Sequence, residues 1–203
     1  FNAAIHPQTA IHTALDLKHK SGFRPNDFAT VDLDVFDVAY NIIGGGEEGD
    51  KKVVLTKEAA DHSLPYLIAV ALLDDTVMPQ QYEPDRIRRA DVQQLLRRVK
   101  VRPNQEYSKR FPEEMPSRVT VTLRDGRHFS LERHDYLGFR TSPMSWEDAH
   151  SKFVALGASH AEPETLVEIA SAVKDIESIK VHDLTHLLTK VHAPTHSSAV
   201  AAA

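Results

Sequence analysis

Arg118-Val119-Thr120-Val121-Thr122-Leu123, Arg124-Asp125-Gly126-Arg127 and His128-Phe129-Ser130-Leu131-Glu132-Arg133 form the stretch that decides the fold. Both outer runs alternate apolar and polar residues, the period of a strand with one buried face. An Asp-Gly pair between two such runs is the strongest short hairpin signal a sequence offers. An antiparallel hairpin is therefore predicted over 118–133. Upstream, Thr30-Val31-Asp32-Leu33-Asp34-Val35-Phe36 alternates in the same way, and Arg98 to Arg102 adds a further strand candidate. The expectation is a roughly four-stranded, mainly antiparallel sheet.

Helical spacing surrounds these strands. Ile11, Ala14, Leu15 and Lys18 predict a helix over 7–20, opened by Pro7. Leu64, Leu67, Ile68, Ala71 and Leu72 predict one helix over 56–74, with Pro65 as a possible kink because it removes a hydrogen bond. Asp91 is placed to cap a helix over 91–97. From Ser145 onward the pattern is helical only, near 145–156, 163–173 and 181–191. The fold class is thus α+β, with an α+β unit over 1–140, C-terminal helices over 141–192, and a tail over 193–203 predicted to be disordered.

Composition narrows the function. The chain has 203 residues, 24 Lys plus Arg against 29 Asp plus Glu, and a formal charge of -5. That balance argues against a nucleic-acid surface, which needs a basic face. No apolar run approaches the roughly 18 residues of a membrane-spanning helix. Zero cysteines exclude a disulfide framework, a thiolate metal site and cysteine catalysis within this segment. Twelve histidines are the unusual count, and each chemical motif around them needs its own test.

Most of those motifs fail on chemistry. Gly44-Gly45-Gly46-Glu47-Glu48-Gly49 fits the dinucleotide pattern in spacing, but Glu47, Glu48 and Asp50 stand where a pyrophosphate would lie, and no P-loop Lys is present. A mobile acidic loop is expected there. His182-Asp183-Leu184-Thr185-His186 puts two imidazoles one helical turn apart, yet Asp is a methylene short of the Glu that zinc hydrolases use as base. The neighbouring Val181, Leu184, Leu187, Leu188 and Val191 point to a packing face. Asp61-His62-Ser63 holds triad residue types, but three consecutive side chains diverge. His62 and Tyr66, four apart, are expected to form a structural hydrogen-bonded pair. Lys51 and Lys52 read as a solvated pair. His6, just before a helix, and Tyr40, placed at the end of the first strand, are the side chains best set to face a cleft.

Several stretches together resemble the MmgE/PrpD family, whose best-known members are 2-methylcitrate dehydratases. They are His6-Pro7-Gln8-Thr9-Ala10, Gly44 to Lys51, Ala60-Asp61-His62-Ser63-Leu64-Pro65-Tyr66 running into Ala71-Leu72-Leu73-Asp74, Met115-Pro116-Ser117-Arg118-Val119-Thr120-Val121, and Pro143-Met144-Ser145-Trp146-Glu147. The resemblance implies a two-part enzyme, with a large helical domain and a smaller α+β lid over the active site. Residues 1–140 would be the lid and 141–192 the helices returning to the large domain, most of which, with aspartate, histidine and lysine partners, is expected upstream of Phe1. His6 and Tyr40 map onto the family's active-site His and Tyr.

The implied activity is a metal-free dehydration of 2-methylcitrate to 2-methylaconitate, with no cofactor, a small tricarboxylate substrate and a homodimeric complete protein. This chain by itself is expected to be inactive. Cis-aconitate decarboxylation and dicarboxylate epimerisation are the alternatives within the family, and a non-catalytic interaction module is the alternative outside it. The expected compartment is the cytoplasm of a bacterium or the mitochondrial matrix of a eukaryote, which this segment does not decide.

Overall fold

A computed structural model describes residues 1–24 and 27–193. The prediction of a disordered tail therefore lies, apart from Ala193, outside the described residues. The chain divides into two compact units, Phe1–Ser142 and a second from Pro143 onward.

The first unit is α+β. Its sheet has strand order β2-β1-β3-β4, where β1 is Phe28–Val35, β2 Val99–Pro103, β3 Ser117–Leu123 and β4 His128–Arg133. The β3–β4 hairpin forms where Asp-Gly signals it, with Val119 opposite Leu131 and Val121 opposite Phe129. Gly126 takes φ 88° in the turn. β1 runs antiparallel to β3 and parallel to β2, so Val31 faces Val121 on one side and Val99 on the other. A parallel neighbour needs a long crossover. Residues 36–98 supply it.

Alternation sorts the two faces of the sheet. Val31, Leu33, Val35, Val119 and Val121 are fully buried, while Asp32, Asp34, Arg118 and Glu132 occupy the opposite, polar face. The buried face is covered by α1 (Gln8–Ser21) and α4 (Leu64–Asp74), which also pack on each other. Every residue of α4 from Leu64 to Leu72 is buried, so this helix is apolar all round and forms the centre of the core.

The helix expected over 56–74 is two helices. α3 (Lys57–Asp61) starts at Thr56, whose side chain accepts the Ala59 N–H. The chain then breaks at His62–Ser63 and α4 begins afresh. Ser63 caps it by accepting the Tyr66 N–H at 3.1 Å, and Pro65 falls in the first turn, where its missing N–H costs nothing. Pro65 marks a helix start and kinks nothing.

The crossover also contains α2 (Asp37–Ala39), which passes directly into a wider i→i+5 turn over Tyr40–Gly44. α5 (Pro84–Arg88) and α6 (Ala90–Leu96) follow, and α7 (Gln105–Arg110) joins β2 to β3. Asn104 caps α7 through the N–H groups of Glu106 and Tyr107, a helix start the sequence reading passed over.

The second unit holds α8 (Trp146–Gly157), α9 (Pro163–Lys174) and α10 (Val181–Leu188). Ser145 and Asp148 form a reciprocal cap at the start of α8. Among the described residues, no helix is long and apolar enough to cross a membrane.

Candidate active site

At the carboxyl end of β1, Phe36 meets the His6 ring with its side chain and Tyr40 with its backbone. This phenylalanine follows the strand directly, is buried, and stacks on Phe111 with ring centroids 4.5 Å apart and planes within 10°. The His6 imidazole is tilted against Phe36 at 6.1 Å. Tyr40 lies one helical turn beyond Phe36, and its N–H donates to the Phe36 carbonyl at 3.1 Å. β1 itself stops at Val35, so Tyr40 stands in the helical turn after the strand and not at the strand's end. That turn carries the side chain away from the alternating pattern of the sheet.

His6 is held on a short segment tied at several points. The Asn2 N–H donates to Val77 O at 2.7 Å, the Tyr82 hydroxyl donates to Asn2 O at 2.6 Å, and the Gln8 side-chain amide donates to Ala3 O at 2.8 Å. α1 then starts at Gln8 with no side-chain cap, because the preceding residue is Pro7. Partial burial lowers the His6 pKa from its ordinary value. His6 is therefore biased toward the neutral imidazole, the form that accepts a proton.

Tyr40 is half-buried, and the Gly-rich stretch folds back over it. The Tyr40 carbonyl accepts from both Gly45 and Gly46, and Asn41 O accepts from Glu48 N–H at 3.2 Å. These glycines terminate a helical turn. A phosphate loop opens one, so the stretch offers an anion the wrong end of the helix dipole. The acidic loop is also more tied than the sequence suggests, since Lys51 pairs with Glu48 at 3.3 Å and Gly49 N–H reaches Gly46 O at 3.0 Å.

The remaining candidates resolve into structural roles. His62 Nδ1–H donates to the Glu58 carbonyl, 3.0 Å away, while the buried Tyr66 hydroxyl donates to the Gln81 carbonyl. They do not form the expected pair, because the helix break at His62–Ser63 removes the shared face. Burial raises the pKa values of Tyr66 and Tyr82 well above the ordinary phenol, which keeps both protonated. Asp61 pairs with Lys57, and the Ser63 hydroxyl donates to Lys51 O, so Asp61, His62 and Ser63 point to three different partners. Lys52 reaches the Arg97 carbonyl at 3.5 Å. His182 and His186 lie on α10 with rings 6.4 Å apart, and Asp183 accepts the Lys180 N–H as a cap. Among the described residues, no group of three or more His, Cys, Asp or Glu is placed to hold a metal ion.

Sequence reasoning overlooked the polar network on the outer face of the sheet. Glu132 accepts from the Tyr107 hydroxyl and from Arg118, each at 2.6 Å, while Arg110 pairs with Glu114 and approaches Glu132 at 3.5 Å. Tyr107 carries a raised pKa, first from burial and then from the adjacent Glu132 carboxylate. The Arg118–Glu132 pairing was legible once the hairpin register was set. The approach of Tyr107 depends on α7, which was not predicted.

Fold and geometry together define an α+β unit with an imidazole against the phenylalanine that follows its first strand and a tyrosine one helical turn beyond it. The chain belongs to the MmgE/PrpD family: the family profile described as "MmgE/PrpD C-terminal domain" matches residues 1–178. Curated relatives include the cis-aconitate decarboxylase of Mus musculus, 26% identical over 136 residues, and that of Homo sapiens, 27% identical over 147 residues. These alignments cover 66% and 70% of this chain, but only 27% and 29% of the relatives. The chain thus spans less than a third of the length of these two relatives.

Proposed function

We propose that this chain is the lid and C-terminal helical part of a lyase that dehydrates 2-methylcitrate to 2-methylaconitate. The family and the names of its relatives support lyase chemistry on carboxylic acids. The observation that carries the site is a half-buried imidazole, biased toward its neutral form, that lies against Phe36, the residue one helical turn before Tyr40.

Dehydration removes a carbon-bound proton next to a carboxylate and a hydroxyl from the adjacent carbon. The base takes the proton, the C–H electrons form the double bond, and the hydroxyl leaves as water after receiving a proton. A neutral His6 suits proton transfer in this exchange. Tyr40 suits orientation of the hydroxyl or of a carboxylate by hydrogen bonding. Further cationic groups for the substrate's carboxylates belong, in this reading, to the helical domain, and the resemblance makes the reaction independent of a metal. The complete protein works as a homodimer in the same reading.

The relatives' names favour one second reading, decarboxylation of cis-aconitate. Both reactions move a proton next to a carboxylate, so the products decide. The chain is assayed with and without an N-terminal helical half, following ultraviolet absorbance of the conjugated enoate from 2-methylcitrate and CO2 release from cis-aconitate. Absorbance growth only with both halves supports the dehydratase and the divided site. CO2 release without that growth moves the assignment to the decarboxylase. Product from this chain alone overturns the divided site.

A further inference from the structure

The glycine run that fails as a phosphate loop contains two kinds of glycine. Gly45 and Gly49 have φ of 107° and 83°, conformations that L side chains rarely adopt, so the turn requires them. Gly44 and Gly46 have no positive φ. What they supply is room. A Cβ on Gly46 would stand 2.4 Å from Asn41 Oδ1, 2.8 Å from Asn41 Cα and 3.0 Å from Tyr40 Cδ1. A Cβ on Gly44 would stand 3.0 Å from Tyr40 Cδ2 and 3.0 Å from Val101 Cγ1.

The Tyr40 ring therefore meets bare backbone at both Cδ carbons, one against Gly44 and the other against Gly46. The main chain fixes the same residue, since Gly45 and Gly46 both donate to the Tyr40 carbonyl. A side chain at 46 could push the Asn41 amide aside by rotation. Asn41 Cα cannot rotate away, and the ring can yield only by leaving its place on the loop.

We infer that Gly46, assisted by Gly44, is a positioning residue that fixes the Tyr40 phenol for the substrate. This rests on the proposed role of Tyr40. The acidic loop thereby becomes a backbone cradle for a site side chain: the turn requires glycine at 45 and 49, and the seating of Tyr40 requires the lack of Cβ atoms at 44 and 46.

A double-mutant cycle in the complete enzyme tests it, with Gly46→Ala, Tyr40→Phe and their combination measured for kcat and KM. Misplacing a site group by a fraction of an ångström is expected to lower kcat about tenfold or more for Gly46→Ala. The same substitution is expected to add nothing further in the Tyr40→Phe background, because the two act through one hydroxyl. Gly44→Ala, whose clashes are milder, should give a smaller loss with the same lack of additivity, and it replaces Gly46→Ala if circular dichroism shows that variant unfolded.

Equal fold-losses in the parent and in the Tyr40→Phe background overturn the inference and leave the Tyr40 assignment standing. Unchanged kcat in folded Gly46→Ala overturns it too. If Tyr40→Phe alone leaves kcat intact, the Tyr40 assignment falls and the inference falls with it, a pattern distinct from the other two.

Discussion

Burial holds the His6 imidazole below the ordinary histidine pKa, and two consequences follow with definite signs. For catalysis, a base that stays neutral below about pH 6.5 keeps kcat/KM flat to a more acidic limit than an exposed histidine would. For stability, the unfolded chain takes up the proton first as pH falls. Between the ordinary pKa and the lowered one the unfolded state binds more protons, so His6 makes the fold less stable as pH drops through that window and has no further effect below it. His12 adds in the same direction, lowered by burial and then by Arg133. In the complete enzyme, His6→Gln should reduce kcat by about 10²–10⁴-fold with the circular dichroism spectrum unchanged. The variant should also lose less thermal stability between pH 7 and pH 5 than the parent does. Unchanged turnover would remove His6 from the chemistry. His6 and Tyr40 were legible as candidates through the family resemblance, whereas Phe36 was legible only as a strand residue. Nothing in its sequence position announces that an imidazole and a second phenyl ring from residues 6 and 111 converge on it.

Local start signals explain which elements were readable. Alternation and Asp-Gly fix the β3–β4 hairpin because both are local, and Ser145 with Asp148 marks α8 for the same reason. The error at 56–74 came from letting apolar periodicity run through a boundary that Ser63 and Pro65 define together. A serine two residues before a proline places the proline in the first turn of a new helix. The Ser63 side chain is fully buried, accepts the Tyr66 N–H at 3.1 Å and donates to the Lys51 carbonyl at 2.5 Å. Ser63→Ala should therefore cost about 1–3 kcal/mol, combining the lost cap with a part-buried carbonyl left without its donor. The urea midpoint should shift with the m-value unchanged. Pro65→Ala, in contrast, should gain far less than the roughly 3 kcal/mol that removing an interior proline returns to a helix, because no hydrogen bond was missing to restore. A gain near 3 kcal/mol from that substitution would mean that α3 and α4 strive to be one helix. The parallel pairing of β2 with β1 was not legible at all, since 63 residues of crossover separate the two strands and no local signal spans them.

At the scale of the whole molecule the two units differ in how they are held together. The first buries α4 almost completely and closes it between α1 and a four-stranded sheet. In the second, α8 and α10 contain no buried residue, and the buried apolar side chains among the described residues are Ala161, Leu166, Ile169 and Ala170. Leu156, Val167, Val173, Ile176, Val181, Leu188 and Val191 remain exposed there. Burial stabilises at about 25 cal/mol per Å² of apolar surface, so helices that bury so little gain little against the entropy of ordering them. Their amphipathic pattern was visible in the sequence; how much of each apolar face stays exposed among the described residues was not, because periodicity reports a face and not what covers it. The chain should therefore open in two stages. Hydrogen exchange followed by mass spectrometry is expected to show the amides of α8–α10 exchanging well before those of β1, β3 and α4, with opening free energies far below that of global unfolding. Adding the helical half of the enzyme should slow exchange in α8–α10 selectively if those faces complete its domain. Uniform protection across both units of the isolated chain would show that the second unit is stable on the contacts it already has, and the case for a covering helical domain would lose its physical basis.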